Sequence, residues 1–374
     1  MNIHIYTQGC TSNQSDSEVM AGLLTRAGYE LSDLKSADLV IFNTCSLKTP
    51  TESRLFRKIY DHAKNKKVII AGCFPLSFPD DLRLKNYSLI GSFDLKHVVD
   101  AVERTLCGER VILLSRKAED KLCLPKIRDK PKLAKVVISK GCLSNCSFCA
   151  GKRARGNLVS YDPEKIVEEV RQAVKKGCNK IYLTSQDTGC YGMDCDTNLI
   201  HLVKNVVSVD GNFKIRIGMM SPQWALHLQP ALLEIMKYEK VRKFLHIPVQ
   251  SGSNNVLKLM NRNYTVADFK KIVTTFRKAF PESTLATDII VGFPGETETD
   301  FQETVKLLAW LQPEVLNLTR YWPRKGTPAG ELKQLPRKIV SERSIILHNL
   351  FENIKKKRKE KGAPLQRVIR SKCV

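Results

Sequence analysis

KVVISKGCLSNCSFC, residues 135–149, is the stretch from which the rest of the chain is best read. Its first five residues form a short apolar, β-branched run, the pattern of a buried strand. Immediately after it, Cys142, Cys146 and Cys149 share one loop. Three thiolates at these spacings can hold three corners of a cubane iron–sulfur cluster, leaving one iron open to a small molecule. A structural zinc site wants four protein ligands, usually as two pairs, and neither Cys123 nor Cys178 supplies a second pair. Zinc remains the alternative that the spacing allows.

Downstream, five more strand-like runs follow at regular intervals: KIYLTS (180–185), FKIRIG (213–218), KFLHIPV (243–249), TLATDIIVGF (284–293) and VLNLTRY (315–321). Helical stretches separate them, for example Pro163–Lys176, with Asp162 placed to cap its first turn. Six strand–helix units predict a partial (β/α)6 barrel over residues 135–335. His246 lies inside an apolar strand and reads as a core histidine.

Upstream, residues 115–134 carry two prolines, many charges and few periodic apolar positions, and read as a basic linker. Before them, residues 1–114 alternate strands (2–7, 38–43, 67–72, 87–91) with helices (16–27, 51–62, 94–106) and a loop after Gly72. That rhythm predicts an α/β domain with a doubly wound parallel sheet. Cys10, Cys45 and Cys73 each fall just past the carboxyl end of one of its strands. In an open parallel sheet those ends share one edge, where ligands bind, so three thiols distant in sequence would meet. A single cysteine in such a place is often only a small core residue; the repetition favours a site.

The composition agrees. The chain has 374 residues with 61 Lys+Arg against 38 Asp+Glu, a formal charge of +23, and 12 cysteines. No apolar run is long enough to cross a bilayer, and MNIHIYTQGC opens as a strand rather than a signal peptide. We therefore expect a cytoplasmic protein without a membrane partner, whose cysteines serve metal or redox chemistry before disulfides. Excess positive charge suits a polyanion such as nucleic acid. A basic surface that only aids solubility is the other reading.

The cysteine motifs also carry a resemblance. CX3CX2C with Phe148 before the last cysteine resembles the signature of radical S-adenosylmethionine (SAM) enzymes, and the earlier Cys10/Cys45/Cys73 triad resembles the methylthiotransferase family. TSQDTGCYG (184–192), HIPVQSGS (246–253), DIIVGFPGET (288–297) and YWPRKGTPA (321–329) extend the likeness to nearly the whole chain. CSLKTPTE (45–52), Lys152–Gly156 and TSQDTG are most similar to the archaeal and eukaryotic branch, which modifies threonylcarbamoyladenosine in tRNA.

The resemblance implies two [4Fe-4S] clusters, an auxiliary one on Cys10, Cys45 and Cys73 and a SAM-binding one on Cys142, Cys146 and Cys149. It implies radical chemistry that replaces the C2 hydrogen of an adenine by a methylthio group, with tRNA as partner and a ferredoxin or flavodoxin as electron donor. The sulfur donor is not implied. SAM would lie across the carboxyl ends of the barrel strands, met by Phe148, by Gln186 and Asp187 at its ammonium, by Gln250 and Ser251 at its ribose, and by the backbone at Gly292. Turn chemistry and helix capping are the competing roles for the glycine, Asp187 and Ser251. RNA contact is expected from Lys152, Arg153, Arg155, Arg320 and Arg324, with Lys325 nearby, and from Tyr321 or Trp322 by stacking.

Residues 336–374 read as a basic helical extension, and residues 331–374 carry net +9. The family ordinarily continues into a small RNA-gripping β-barrel, TRAM, and PLQRVIRSKCV falls about where its first strand would start; that domain is expected to be missing. Three rival functions follow: the same chemistry on isopentenyladenosine in tRNA, the same chemistry on a ribosomal aspartate, and a non-catalytic zinc or RNA-binding protein.

Overall fold

The computed structural model describes residues 1–45, 49–117 and 119–360. Its first part is a βαβ succession: β1 (Asn2–Gln8), α1 (Thr11–Arg26), β2 (Glu30–Leu31), β3 (Leu39–Thr44), α2 (Thr49–Ala63), β4 (Lys67–Gly72), α3 (Cys73–Ser77), β5 (Ser88–Gly91), α4 (Val98–Leu106) and β6 (Ile112–Leu113). The strands pair in the order β2-β1-β3-β4-β5-β6, every pair parallel. Both sheet faces are covered, as the near-continuous apolar runs require. Along β3, Leu39 and Ile41 join one core with Val19, Met20 and Leu24 of α1 and Val98 and Val102 of α4, while Val40 and Phe42 join another with Leu55 and Ile59 of α2.

Two details differ from expectation. The segment after Gly72 is a single helical turn, α3, beginning at Cys73 itself. α1 starts at Thr11, so Cys10 occupies its N-cap position.

Residues 119–132, most of the expected linker, are no free spacer. They strap α1 to the second part: Ile127 N donates to Glu18 O at 3.0 Å and Lys121 pairs with Asp16, both on α1, while Lys126 pairs with Glu169 in the second part of the chain. Leu122 enters the core of the second part. Gly22 makes room for this crossing, since a Cβ there would overlap the Pro125 carbonyl.

The second part comprises β7 (Leu133–Val137), a small hairpin β8 (Ser139–Lys140) with β9 (Val159–Ser160), α5 (Ala150–Arg155), α6 (Pro163–Lys175), β10 (Lys180–Thr184), α7 (Leu199–Val207), β11 (Lys214–Ile217), α8 (Pro222–Lys237), β12 (Phe244–His246), α9 (Asn254–Leu259), α10 (Val266–Ala279), β13 (Thr284–Val291), α11 (Glu298–Leu311), β14 (Val315–Arg320), α12 (Pro328–Glu331) and α13 (Arg337–Glu360). β7, β10 and β11 pair in parallel, as do β12, β13 and β14. A parallel bridge from Ile215 to Val241 joins the two sets, giving the open six-stranded barrel. Ile166, Val203, Ile235, Phe269 and Leu308 of the outer helices pack on it. Asp162 caps α6 as expected, accepting from Glu164 N at 2.8 Å and Lys165 N at 3.1 Å.

β12 is short because Pro248 has no N–H for the ladder. The backbone rejoins β13 at Gln250, opposite Ile289. α13 returns over β14 and α11, burying Leu347 and Ile354. Among the described residues, no helix is long and apolar enough to cross a membrane. Residues 46–48 of CSLKTPTE, the expected start of the terminal domain and Cys373 lie outside the described residues.

Candidate functional site

The loop from Gly141 to Cys149 leaves the top of the barrel and enters α5 with Cys149 at its N-cap position. Cys142, Cys146 and Cys149 all line one cavity of about 180 Å³. Phe148, Gln186, Asp187, Met219, Ser221, Pro248, Gln250 and Arg262 complete its wall together with Lys152 and Arg155. The loop is held by its neighbours: Gly141 N donates to Gln186 Oε1 at 2.8 Å, and Ser144 N to the Cys142 sulfur at 3.3 Å.

The charges around the sulfurs are arranged by fold. A hydrogen bond with Cys190 lowers the Cys142 thiol to about 6 against the effect of burial, and burial pushes Cys149 up. Arg262 donates to the Cys146 sulfur at 2.9 Å from one nitrogen and to Ser221 Oγ at 3.1 Å from another. Asp187 accepts from Gly189 N and Ser221 N, both at 3.1 Å, so its capping role and its place in the cavity wall coexist. Burial, and next the charge of Cys142, raise its carboxyl to about 7.

Gln250 bears most directly on a ligand. It holds a left-handed backbone (φ 68°), rare for this residue type, and its buried Oε1 has no hydrogen-bond partner among the described residues. A cavity with three sulfurs, a buried carboxylate and an amide oxygen in need of a donor fits an iron–sulfur cluster with an amino-acid-like ligand.

The N-terminal triad also converges. Cys10 donates to Asn13 Oδ1 at 3.3 Å, Asn13 Nδ2 approaches the Cys73 sulfur at 3.9 Å, and Cys45 hydrogen-bonds Cys73. The Cys45 bond is the main force holding the Cys73 thiol down at about 6; the Arg155 charge acts in the same sense, and burial opposes both. Asn43 fixes the edge by donating to Asn13 O and Ser17 Oγ, each at 2.8 Å. Three thiols with such support fit a second cluster.

Several expected roles are corrected. Arg155 is 3% exposed and faces inward, donating to the Cys73 sulfur at 3.1 Å and to Asp16 at 3.0 Å, so it is no RNA-facing residue. Arg324 is 9% exposed and bound to Glu52 at 3.1 Å. Lys152 turns to the Cys142 carbonyl, whereas Arg153 and Arg320 are exposed. Ser251 does not line the cavity: its hydroxyl pairs with Thr304 Oγ1 at 3.3 Å and accepts from Ser253 N at 3.2 Å. Gly292 does not line it either. With φ 76°, it gives space to α13, because a Cβ there would meet Val340 at 2.5 Å. His246 is half-buried and bonded to Asp288 at 2.8 Å, a satisfied histidine as expected.

Spacing gave no sign of Cys190, Arg262, Asn13 or Asp16. Cys190 lies with Cys142 and Asp187, their ligand atoms within 4.8 Å of one another. Its motif, TSQDTGCYG, was the available signal.

Fold and thiol arrangement together define an iron–sulfur barrel protein carrying an additional thiol-bearing α/β domain. Residues 136–308 match the model of the Radical SAM superfamily, and residues 2–90 match that of Uncharacterized protein family UPF0004. In sequence, the chain is 43% identical to a probable threonylcarbamoyladenosine tRNA methylthiotransferase of Pyrococcus abyssi, over 94% of this chain and 84% of that protein. It is 42% identical to a probable one of Archaeoglobus fulgidus (95% and 84%) and 41% identical to the threonylcarbamoyladenosine tRNA methylthiotransferase of Homo sapiens (94% and 62%). Among solved structures, a radical SAM methyltransferase of Kitasatospora setae, TsrM, with cobalamin and a [4Fe-4S] cluster bound, superposes with TM-score 0.64 at 14% identity, covering 88% of this chain and 77% of that one. That likeness shows the fold. The chain belongs to the threonylcarbamoyladenosine tRNA methylthiotransferase family.

Proposed function

We infer that the protein is a tRNA methylthiotransferase that converts N6-threonylcarbamoyladenosine beside the anticodon to its 2-methylthio derivative. The observation that carries this reading is the pair of thiol triads, one from each part of the chain, connected through Arg155. Residues 1–114 would form the auxiliary domain and residues 135–335 the radical SAM barrel. Cys142, Cys146 and Cys149 would hold one [4Fe-4S] cluster and Cys10, Cys45 and Cys73 the other. When bound, the clusters and SAM supply the radical chemistry and the inserted sulfur.

What the chain itself contributes is orientation and exclusion of water. Gln186 holds the turn at Gly141, so the first cysteine of the loop is fixed against the second barrel strand. Gln250 lines the cavity, and its buried amide oxygen, without a partner among the described residues, is suited to accept from a hydroxyl or ammonium. Met219, Pro248 and Phe148 line the wall with apolar surface, and Phe148 is braced edge-on by Phe293 at 6.3 Å. For tRNA, the exposed Arg153, Arg320 and Lys325 and the exposed lysines in the last turn of α13 (Lys357, Lys359) are the phosphate-facing candidates. A ferredoxin or flavodoxin would supply electrons, the sulfur source is open, and a cytoplasmic location without a membrane partner suits a tRNA substrate.

Nucleoside mass spectrometry of tRNA from a deletion strain tests this. The 2-methylthio-threonylcarbamoyl nucleoside should vanish and return on complementation; its persistence in the deletion strain sinks the reading. Loss instead of a methylthio-isopentenyl nucleoside would move the substrate. Loss of a methylthio group from a ribosomal protein would do the same.

A further inference from the structure

Arg155 sits where no surface arginine could. It ends α5, the helix that begins immediately after Cys149, and it forms part of the wall of the cavity that the barrel cysteines line. Yet its guanidinium reaches across to the N-terminal domain: Nε donates to the Cys73 sulfur at 3.1 Å and Nη2 to Asp16 Oδ2 at 3.0 Å, while buried Nη1 has no partner among the described residues. Asp16 in turn pairs with Lys121 of the strap. Burial alone would neutralise Asp16; Lys121 and Arg155 override it and keep the carboxyl below its ordinary range. Two cations flank one carboxylate, all nearly fully buried, and the Arg155 fork brings its own positive charge to the sulfur of Cys73.

We propose that Arg155 is a positioning residue that sets the reduction potential of the N-terminal cluster, by donating a hydrogen bond and a buried positive charge to the Cys73 sulfur. This rests on the two-cluster reading above. A hydrogen bond and a positive charge at a ligating sulfur stabilise the more negative, reduced cluster, and so raise its potential. The Asp16–Lys121 pair acts through Arg155, holding the fork in place: Asp16 takes one nitrogen while Nε points at sulfur. Because α5 also starts at the barrel triad, the residue that tunes one site is covalently tied to the other.

The test uses the full chain with Cys142, Cys146 and Cys149 changed to Ala, so that only the N-terminal triad can hold iron. After anaerobic reconstitution, iron is counted and the potential is measured by paramagnetic resonance during a dithionite titration. Arg155→Gln and Arg155→Lys are compared in the same background, with circular dichroism to check folding. The expected result is about four iron per chain in the parent, a potential shifted negative in Arg155→Lys, and a larger negative shift in Arg155→Gln. Unchanged potentials in both variants at full iron content overturn the proposal while leaving the two-cluster reading standing. No iron in the parent overturns both. If Arg155→Gln fails to retain iron, Arg155→Lys decides alone, a lower potential supporting the role and an unchanged one refuting it.

Discussion

Arg262 and Glu18 show how single side chains couple this fold to its chemistry. Arg262 holds the Cys146 sulfur, Ser221 and the Tyr264 hydroxyl, which it meets at 3.0 Å. Arg262→Leu should weaken iron retention at the barrel site by roughly 10- to 100-fold, as loss of a ligand's supporting bond does. Chelator competition on the reconstituted protein would show this, and unchanged retention would refute it. Glu18 is buried between Lys135 and Asp129, and burial raises its carboxyl to about 7 although Lys135 opposes the shift. Between the ordinary carboxylate value and 7 the folded protein therefore binds more protons than the unfolded one, and stability falls as pH rises through that window. The change is on the order of 3 kcal/mol at most. Glu18→Gln should flatten this slope in denaturant titrations at pH 5 and pH 7.5. At this scale the placement of Cys10, Cys45 and Cys73 just past strand ends was legible, because apolar period reveals where a strand stops. The roles of Arg155, Arg324, Ser251 and Gly292 were not, because neighbours in sequence do not tell which way a side chain or backbone face turns.

At the scale of elements, the docking of α13 depends on one backbone position. Gly292 has φ 76° and lies against Val340, so Gly292→Ala should destabilise the protein by more than about 1 kcal/mol. Pairing it with Val340→Ala should recover part of the loss in thermal melts, which a ligand-binding role for the glycine would not do. Strand and helix order was readable from apolar period, and Asp162 marked a helix start correctly. The two-residue edge strands β2 and β6 and the β8–β9 hairpin were not read, since they carry too few residues to show a period. The strap over α1 looked like a linker because its contacts run through lysines and backbone rather than an apolar stripe.

For the whole molecule, the two parts are clamped as well as strapped. Glu52 of α2 accepts from Arg324, beyond β14, at 3.1 Å and from Arg83 at 2.6 Å. Removing the carboxylate leaves a nearly buried guanidinium unpaired, so Glu52→Gln should cost about 3 kcal/mol and raise protease sensitivity between the parts. A melting temperature within error of the parent would argue against the clamp. The formal charge of +23 overstates what the surface carries, because Arg155, Lys121, Lys135, Arg324 and Arg343 are buried inside the fold. The field offered to a polyanion is therefore set by the remaining exposed residues, such as Arg153 and Arg320.

The six residues of α5 have a last consequence, one of phase. A helix advances about 1.5 Å per residue but rotates about 100°. One residue inserted between Cys149 and Arg155 would barely lengthen the link between the triads, yet would swing the guanidinium away from Cys73. The length of this segment is thus constrained by angle rather than by distance. Insertions of a single residue should be far less tolerated here than in the loop of comparable length before Leu199.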